Sequence, residues 1–287
     1  MQTSRLALWF SIPALLQAAD ALAWGLYTHV FFAQLLVWAV PLADPALRRA
    51  VRRFPARVMA GACLPDLALV GRTAGTGSFD ASHEWGQAHA LLAGARDDEA
   101  RACAVGAISH LWVDIIAHNH FVPAHEHLWG NVPTLTHCAC EWAMDRHIAR
   151  HLFRPPRQLL VADDWLVGHV ADQFGCDRAT ARRALRQLGG AESLLRASRL
   201  PGALYAVARL ADRHLAGRFD YYVRETTRRL PQINRVLAGE APAWSADCPP
   251  LAVSRMRMAP HSREIVQTRL PLPGDLFSEE VPLARAA

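Results

Sequence analysis

Between residues 106 and 120 a long apolar run is broken every fourth residue by a polar side chain: His110, Asp114 and His118, with His120 just beyond. The spacing predicts one helix carrying those three side chains in a single column, because residues four apart share a helix face. A carboxylate among imidazoles in an otherwise apolar helix is costly to bury unless another charge compensates it. The pattern returns at His137 and Glu141, also four apart. Two helices that each offer a His and a carboxylate at this spacing can enclose a metal ion between them. Nitrogen and oxygen donors of this kind suit zinc best among the common metals.

The rest of the chain reads as helices separated by Pro and Gly signals. One helix opens near Trp24 and runs to about Val40, where Pro41 and Pro45 end it. Residues 46–62 continue as helix with a disturbance at Pro55, and Pro65-Asp66 starts an irregular region. Residues 71–82, rich in Gly, Thr and Ser, predict a loop that delivers His83, Glu84 and Trp85. Asp97, Asp98 and Glu99 place acids at the start of the central helix, where its dipole favours them. A loop over 121–133 holds His125 and His127, and the second His/Glu helix runs from Thr134 or Thr136 to about Phe153. Helices follow over 179–188, 191–197, 202–216 and 219–237, with breaks at the Gly189-Gly190 pair, a disturbance at Pro231 and a stop at Gly239. No strand alternation of useful length and no repeat at a fixed period appear, so the fold class is all-α, a multi-helix domain over 24–240. The Pro- and Arg-rich stretch 241–287 is expected to lie on the surface or stay mobile.

Composition changes this picture only slightly. At 287 residues and 52% hydrophobic the chain can bury a large core. The formal charge is +5, and all 31 basic residues are Arg. Arg suits phosphate contacts, yet a genome rich in Arg codons gives the same excess. Of six cysteines (Cys63, Cys103, Cys138, Cys140, Cys176, Cys248) none forms a CxxC pair, which excludes the usual zinc-finger and thioredoxin patterns. Residues 1–23 have the form of a secretory signal: Arg5, an apolar run over 6–19, then Ala21-Leu22-Ala23 as a small-x-small cleavage site. Cleavage there would make Trp24 the new N-terminus and imply a secreted or periplasmic protein. An uncleaved anchor and an ordinary first helix are the other readings of the same run.

In order along the chain, the polar interruptions are Trp24, His29, Asp66, His83, His110, Asp114, His118 or His120, His137 and Glu141. This ordered set resembles the zinc-dependent phospholipase C family and its relatives, the fungal-type single-strand nucleases, over residues 24 to about 150. The resemblance implies a helical fold whose mature chain begins with Trp and a cluster of up to three Zn2+ ions. It implies that the amino and carbonyl groups of Trp24 hold one ion with His137 and Glu141, joined by His29 or the sixth histidine. Asp66, His83, His110 and Asp114 would hold another, and which ligand serves which ion stays open. Relatives place the sixth ligand either four or six residues after the HxxxD aspartate; helical continuity favours His118 over His120 here.

The activity so implied is hydrolysis of phospholipid to diacylglycerol and a phosphorylated head group. Asp66 is the candidate catalytic residue, orienting or deprotonating the attacking water, with Glu84 a second choice. The partners expected are a phospholipid or other phosphodiester and peripheral contact with a membrane surface, with no stable protein partner. A single-strand nuclease would instead need a stacking aromatic beside the metals, such as Trp85, Phe121 or Trp129. A structural metal protein and a haem-binding membrane bundle are further readings, the latter short of uninterrupted apolar spans outside the N-terminal region.

Overall fold

The structure, a computed structural model, describes residues 25–129, 133–161, 163–246 and 272–278; Trp24, the signal-like run 1–23 and Cys248 lie outside the described residues. In chain order the helices are α1 (Leu26–Ala39), α2 (Pro45–Arg53), α3 (Pro55–Gly61), α4 (Ala68–Ala74), α5 (Trp85–Ala93), α6 (Asp98–Ile116), α7 (Val122–Trp129), α8 (Pro133–Ile148), α9 (Pro156–Leu159), α10 (Asp164–Phe174), α11 (Arg178–Ala197), α12 (Leu200–Ala211), α13 (Leu215–Arg229) and α14 (Ile233–Leu237). Short 3-10 turns at Pro65–Leu67, Ala149–His151 and Leu230–Gln232 interrupt them, and a π turn at Ala117–Phe121 joins α6 to α7. Among the described residues there is no strand, and the all-α expectation holds.

The core is built on α6. Asp97 caps it by accepting from Ala100 N–H at 2.7 Å, and Asp98 and Glu99 occupy its first turn. Every α6 residue from 102 to 116 is buried, with α1, α2, α3, α5 and α14 packed around it. The stretch Asp98–Glu126 is long and apolar enough to cross a membrane, yet 94% of its apolar window is buried inside this fold, as in the core helix of a globular domain. The helix α1 packs on both α6 and α8, and so bridges the two segments that carry the paired His and acid residues.

The crossing of α3 and α6 is unusually close. A Cβ at Gly106 would stand 2.0 Å from the Val58 carbonyl oxygen, and one at Gly61 would stand 2.0 Å from that of Cys103. Backbone meets backbone there, which only glycine permits. Of the described cysteines, Cys63, Cys103, Cys138 and Cys140 are buried and Cys176 is half-buried.

Several elements differ from the sequence expectation. Residues 122–129 are helical rather than a loop: Val122 N–H bonds back to the Ala117 carbonyl, five residues earlier, and the wider turn lets the chain continue past Pro123. Residues 68–74 form α4 inside the expected irregular region, and Gly75 ends it at φ +85°. The Gly189-Gly190 pair does not break α11; Gly189 faces Leu160 and Arg157. The described part of the C-terminal stretch is not peripheral. Trp244, Leu272 and Leu276 belong to the core, Ala243 N–H donates to the Leu276 carbonyl at 3.0 Å, and Asn119 Nδ2 donates to the Ser245 carbonyl at 2.8 Å.

The two kinds of helical glycine predict opposite signs for one substitution. Gly106→Ala overpacks the α3–α6 crossing and is expected to destabilise by about 1–3 kcal/mol. Gly190→Ala, exposed with nothing within 4 Å of the new methyl group, should gain up to ~1 kcal/mol of helix propensity. Thermal unfolding of both variants checks this, at roughly 2–4 °C per kcal/mol for a domain of about this size.

Candidate metal centre

Asp114 is the hub of the site. It lies in the middle of the buried face of α6 with no exposure to solvent. Its Oδ1 is 3.3 Å from His29 Nε2, and its Oδ2 is 2.9 Å from both His83 Nε2 and His110 Nε2. Each imidazole comes from a different place: His29 from the first turns of α1, His83 from the loop before α5, His110 one turn earlier on α6. Burial acts to raise the Asp114 carboxyl, but His29 and His110, with hydrogen bonds from His110 and His83, hold it well below the usual carboxylate range.

The tautomer of His110 decides what the site lacks. Its Nδ1 lies 2.8 Å from the Ala62 carbonyl oxygen, which can only accept, so Nδ1 carries a proton. A neutral His110 then presents a bare Nε2 lone pair to a carboxylate oxygen 2.9 Å away and to His83 Nε2 at 3.1 Å. Acceptors that close require a proton or a cation between them. The Ala62 carbonyl is the outer partner that commonly orients a metal-binding histidine, and the α3–α6 glycine crossing is what brings it within reach.

Around this hub two sets of donor atoms each converge within 4.8 Å: His29, Asp66 and His110, and His83, His110 and Asp114. Asp66 sits in the 3-10 turn after Pro65, nearly fully buried, with Oδ1 3.9 Å from His110 Nε2 and Oδ2 without a hydrogen-bond partner. Its carboxyl is pushed up to about 6 by burial, with His110 and His83 opposing and Asp114 and Asp145 adding to the rise. His29 and His110 stack with ring centroids 3.5 Å apart.

On α8, His137 Nε2 lies 2.6 Å from Glu141 Oε1, and the His118 ring is 5.4 Å from that of His137 and 6.5 Å from that of His83. His118 therefore lies between the hub and α8. Glu141 is fully buried, its Oε2 has no hydrogen-bond partner, and burial, with Asp114 next, raises its carboxyl well above the ordinary range. Three buried carboxylates converging with imidazoles fit a site for one or more divalent cations, and zinc suits the nitrogen and oxygen donors.

The structure thus gathers His29, Asp66, His83, His110, Asp114, His118, His137 and Glu141. His120 is elsewhere: the π turn rotates it away, its ring packs 5.2 Å from Trp244, and burial with Arg229 nearby lowers its imidazole to about 3. Glu84 is exposed at the mouth beside His83. Phe121 is fully buried against Tyr222 and His125, where no base could stack on it. His125, expected at the surface or behind the site, is a core residue whose Nδ1 donates to the Phe121 carbonyl at 2.7 Å.

Two contributors escaped the sequence reading. Asp145 is fully buried one turn beyond Glu141, and the spacing 137, 141, 145 was a usable signal. Glu126 is buried beside His137, with its carboxyl raised by burial and His137 opposing; nothing in its local pattern marks it.

Residues 28–174, just over half of the chain, match the model of a family described as zinc dependent phospholipase C. No curated protein and no solved structure matches the chain.

Asp114→Asn keeps the volume of the hub and removes its charge. Its affinity for zinc is expected to fall by more than the ~10–100-fold that follows loss of an outer partner. Titration of metal-free protein against a competing chelator measures this, with circular dichroism confirming the fold. Adding zinc to the chelator-treated wild type should raise its thermal midpoint, since a ligand that binds the native state stabilises it.

Proposed function

The chain belongs to the zinc-dependent phospholipase C family, and on that footing we propose that it is an exported phosphodiesterase cleaving phospholipid to diacylglycerol and a phosphorylated head group. The observation that carries the reading is the hub itself: a fully buried carboxylate met by three imidazole Nε2 atoms, with the partnerless Asp66 Oδ2 alongside. Up to three zinc ions are proposed. His29, Asp66, His83, His110 and Asp114 would surround the hub, and His118, His137 and Glu141 would form the second side together with the amino and carbonyl groups of Trp24. His118, and not His120, is assigned as the ligand from the π turn.

Bound zinc supplies Lewis acidity toward the phosphoryl oxygen and a water acidic enough to act near neutral pH. Asp66 is assigned as the base. Its Oδ2 is free to accept a proton, its Oδ1 is turned to His110, and a carboxyl near 6 suits proton transfer at neutral pH better than an ordinary one. The Ala62 carbonyl, by accepting from Nδ1, fixes the His110 ring with Nε2 facing the site. His83, the more exposed member of the hub, stands at the side from which a substrate enters.

Export is proposed with cleavage after Ala23. The signal-like composition of 1–23 supports it, as does Gly25, buried against Asp145 one turn along α8 from Glu141. The protein is then secreted or periplasmic.

Mature protein beginning at Trp24 should bind zinc and hydrolyse a choline phospholipid, and chelation should abolish turnover. Asp66→Asn is expected to lower kcat by about 10²–10⁴-fold with little change in KM, the loss typical of a missing general base. Single-stranded nucleic acid assayed in parallel checks the substrate class: cleavage of it alone would move the protein to the nuclease reading. Turnover that survives chelation would sink both.

A further inference from the structure

The helix α1 begins without a cap of its own. Gly25 stands at its N-cap position and offers no side chain. A side-chain acceptor comes instead from α8, 117 residues along the chain: Asp145 Oδ1 accepts from Thr28 N–H at 2.9 Å, an N–H it shares with the Gly25 carbonyl, and from Thr28 Oγ1 at 2.8 Å. Thr28 is the third helical residue, so Asp145 satisfies an N–H that a local Ser or Asp normally would. Glycine makes room for it, since a Cβ at Gly25 would stand 2.2 Å from Asp145 Oδ2. From the other side Arg196 of α11 donates to that Oδ2 at 2.8 Å, pairs with Glu192, and lies over the Tyr27 ring 4.6 Å from its centroid.

This network sits where two ligand-bearing helices meet. Thr28 directly precedes His29 in α1, and Asp145 follows Glu141 by one turn in α8. The remaining contacts of α1 are mostly apolar, through Val30, Phe32, Ala33 and Leu36. Apolar packing is non-directional and resists sliding along the axis poorly, whereas metal–ligand distances tolerate errors of only about 0.2 Å. The other directional contact of α1 to this part of the chain is Gln34, which donates to the His151 carbonyl and accepts from Phe153 N–H.

We propose that Asp145, held by Arg196, which is itself paired with Glu192, is a positioning residue for the metal centre: it caps α1 from α8 and so sets His29 in place relative to His137 and Glu141. The proposal rests on the zinc reading above. A buried ion pair can be replaced by apolar groups at little cost to stability, so stability alone cannot reveal this role.

The test is zinc affinity of the full mature chain by chelator competition, with kcat and KM on a soluble phosphodiester. Asp145→Ala should weaken zinc binding by at least ~10-fold, as other outer partners do, and lower kcat with little change in KM. Asp145→Asn should recover most of both, because its amide oxygen still accepts from Thr28. Gln34→Ala, which removes the other directional contact, should lower the melting temperature and leave zinc affinity intact. Wild-type zinc affinity in Asp145→Ala, or an equal loss in Gln34→Ala, would overturn the proposal. Should Asp145→Ala not fold, Gly25→Ala and Thr28→Val disturb the same contact and must shift zinc affinity in the same direction. A wild-type protein that binds no zinc would remove the metalloenzyme reading and this proposal together; full zinc in wild type and Asp145→Ala alike would remove only this one.

Discussion

A negative charge on the fully buried last turn of the core helix α6 is the constraint on which the rest of this protein depends. Asp114 is out of contact with water, and a bare carboxylate there would be prohibitively expensive. The surroundings answer with three imidazoles rather than with Lys or Arg. Imidazoles that are neutral at physiological pH do not cancel a charge by themselves; they share it with something placed between them. Asp66 and Glu141 add two further buried carboxylates, while Arg196, which reaches α8 at Asp145, is already committed to Asp145 and Glu192. The interior therefore carries an excess of negative charge that cations of small radius would balance.

Packing delivers the geometry. Two glycines let α3 and α6 cross with their backbones touching, and that approach puts the Ala62 carbonyl against His110 Nδ1. A π turn at the end of α6 turns His118 toward α8 and His120 toward Trp244. The first turn of α1 is tied to α8 by a carboxylate, with the opposite end of α1 tied at Gln34. Each device converts a general property of helices, such as close crossing, an extra residue per turn or orphan N–H groups, into a fixed ligand direction.

Much of this was legible in the chain. The four-residue spacing at 110, 114 and 118 and at 137 and 141 marks helix faces directly, because period and polarity coincide there. The membership of His29, Asp66 and His83 was legible only as an ordered series, since each is separated from the others by turns that periodicity does not describe. Three features were beyond local reading. Residues 122–129 contain a Pro and two His and look like a loop, but a wide turn upstream absorbs the Pro. The Gly189-Gly190 pair looks like a stop, but α11 runs straight through it, with Gly189 facing Arg157 of α9. The role of Ala62 belongs to a carbonyl, which every residue has and no sequence distinguishes.

The C-terminal contacts bear on how far along the chain the support of the cluster extends. Phe277 packs on Trp112 and Trp244 on His120, and Arg229 is held by the carbonyls of Leu272 and Pro273. Trp112 and His120 meet partners more than a hundred residues further along the chain, and Arg229 meets partners 43 and 44 residues on. Without those partners the π turn would lack its cover and the metal-bearing helix would lack one wall. The geometry of the cluster thus depends, through packing, on residues 272–278, a segment that carries none of its ligands.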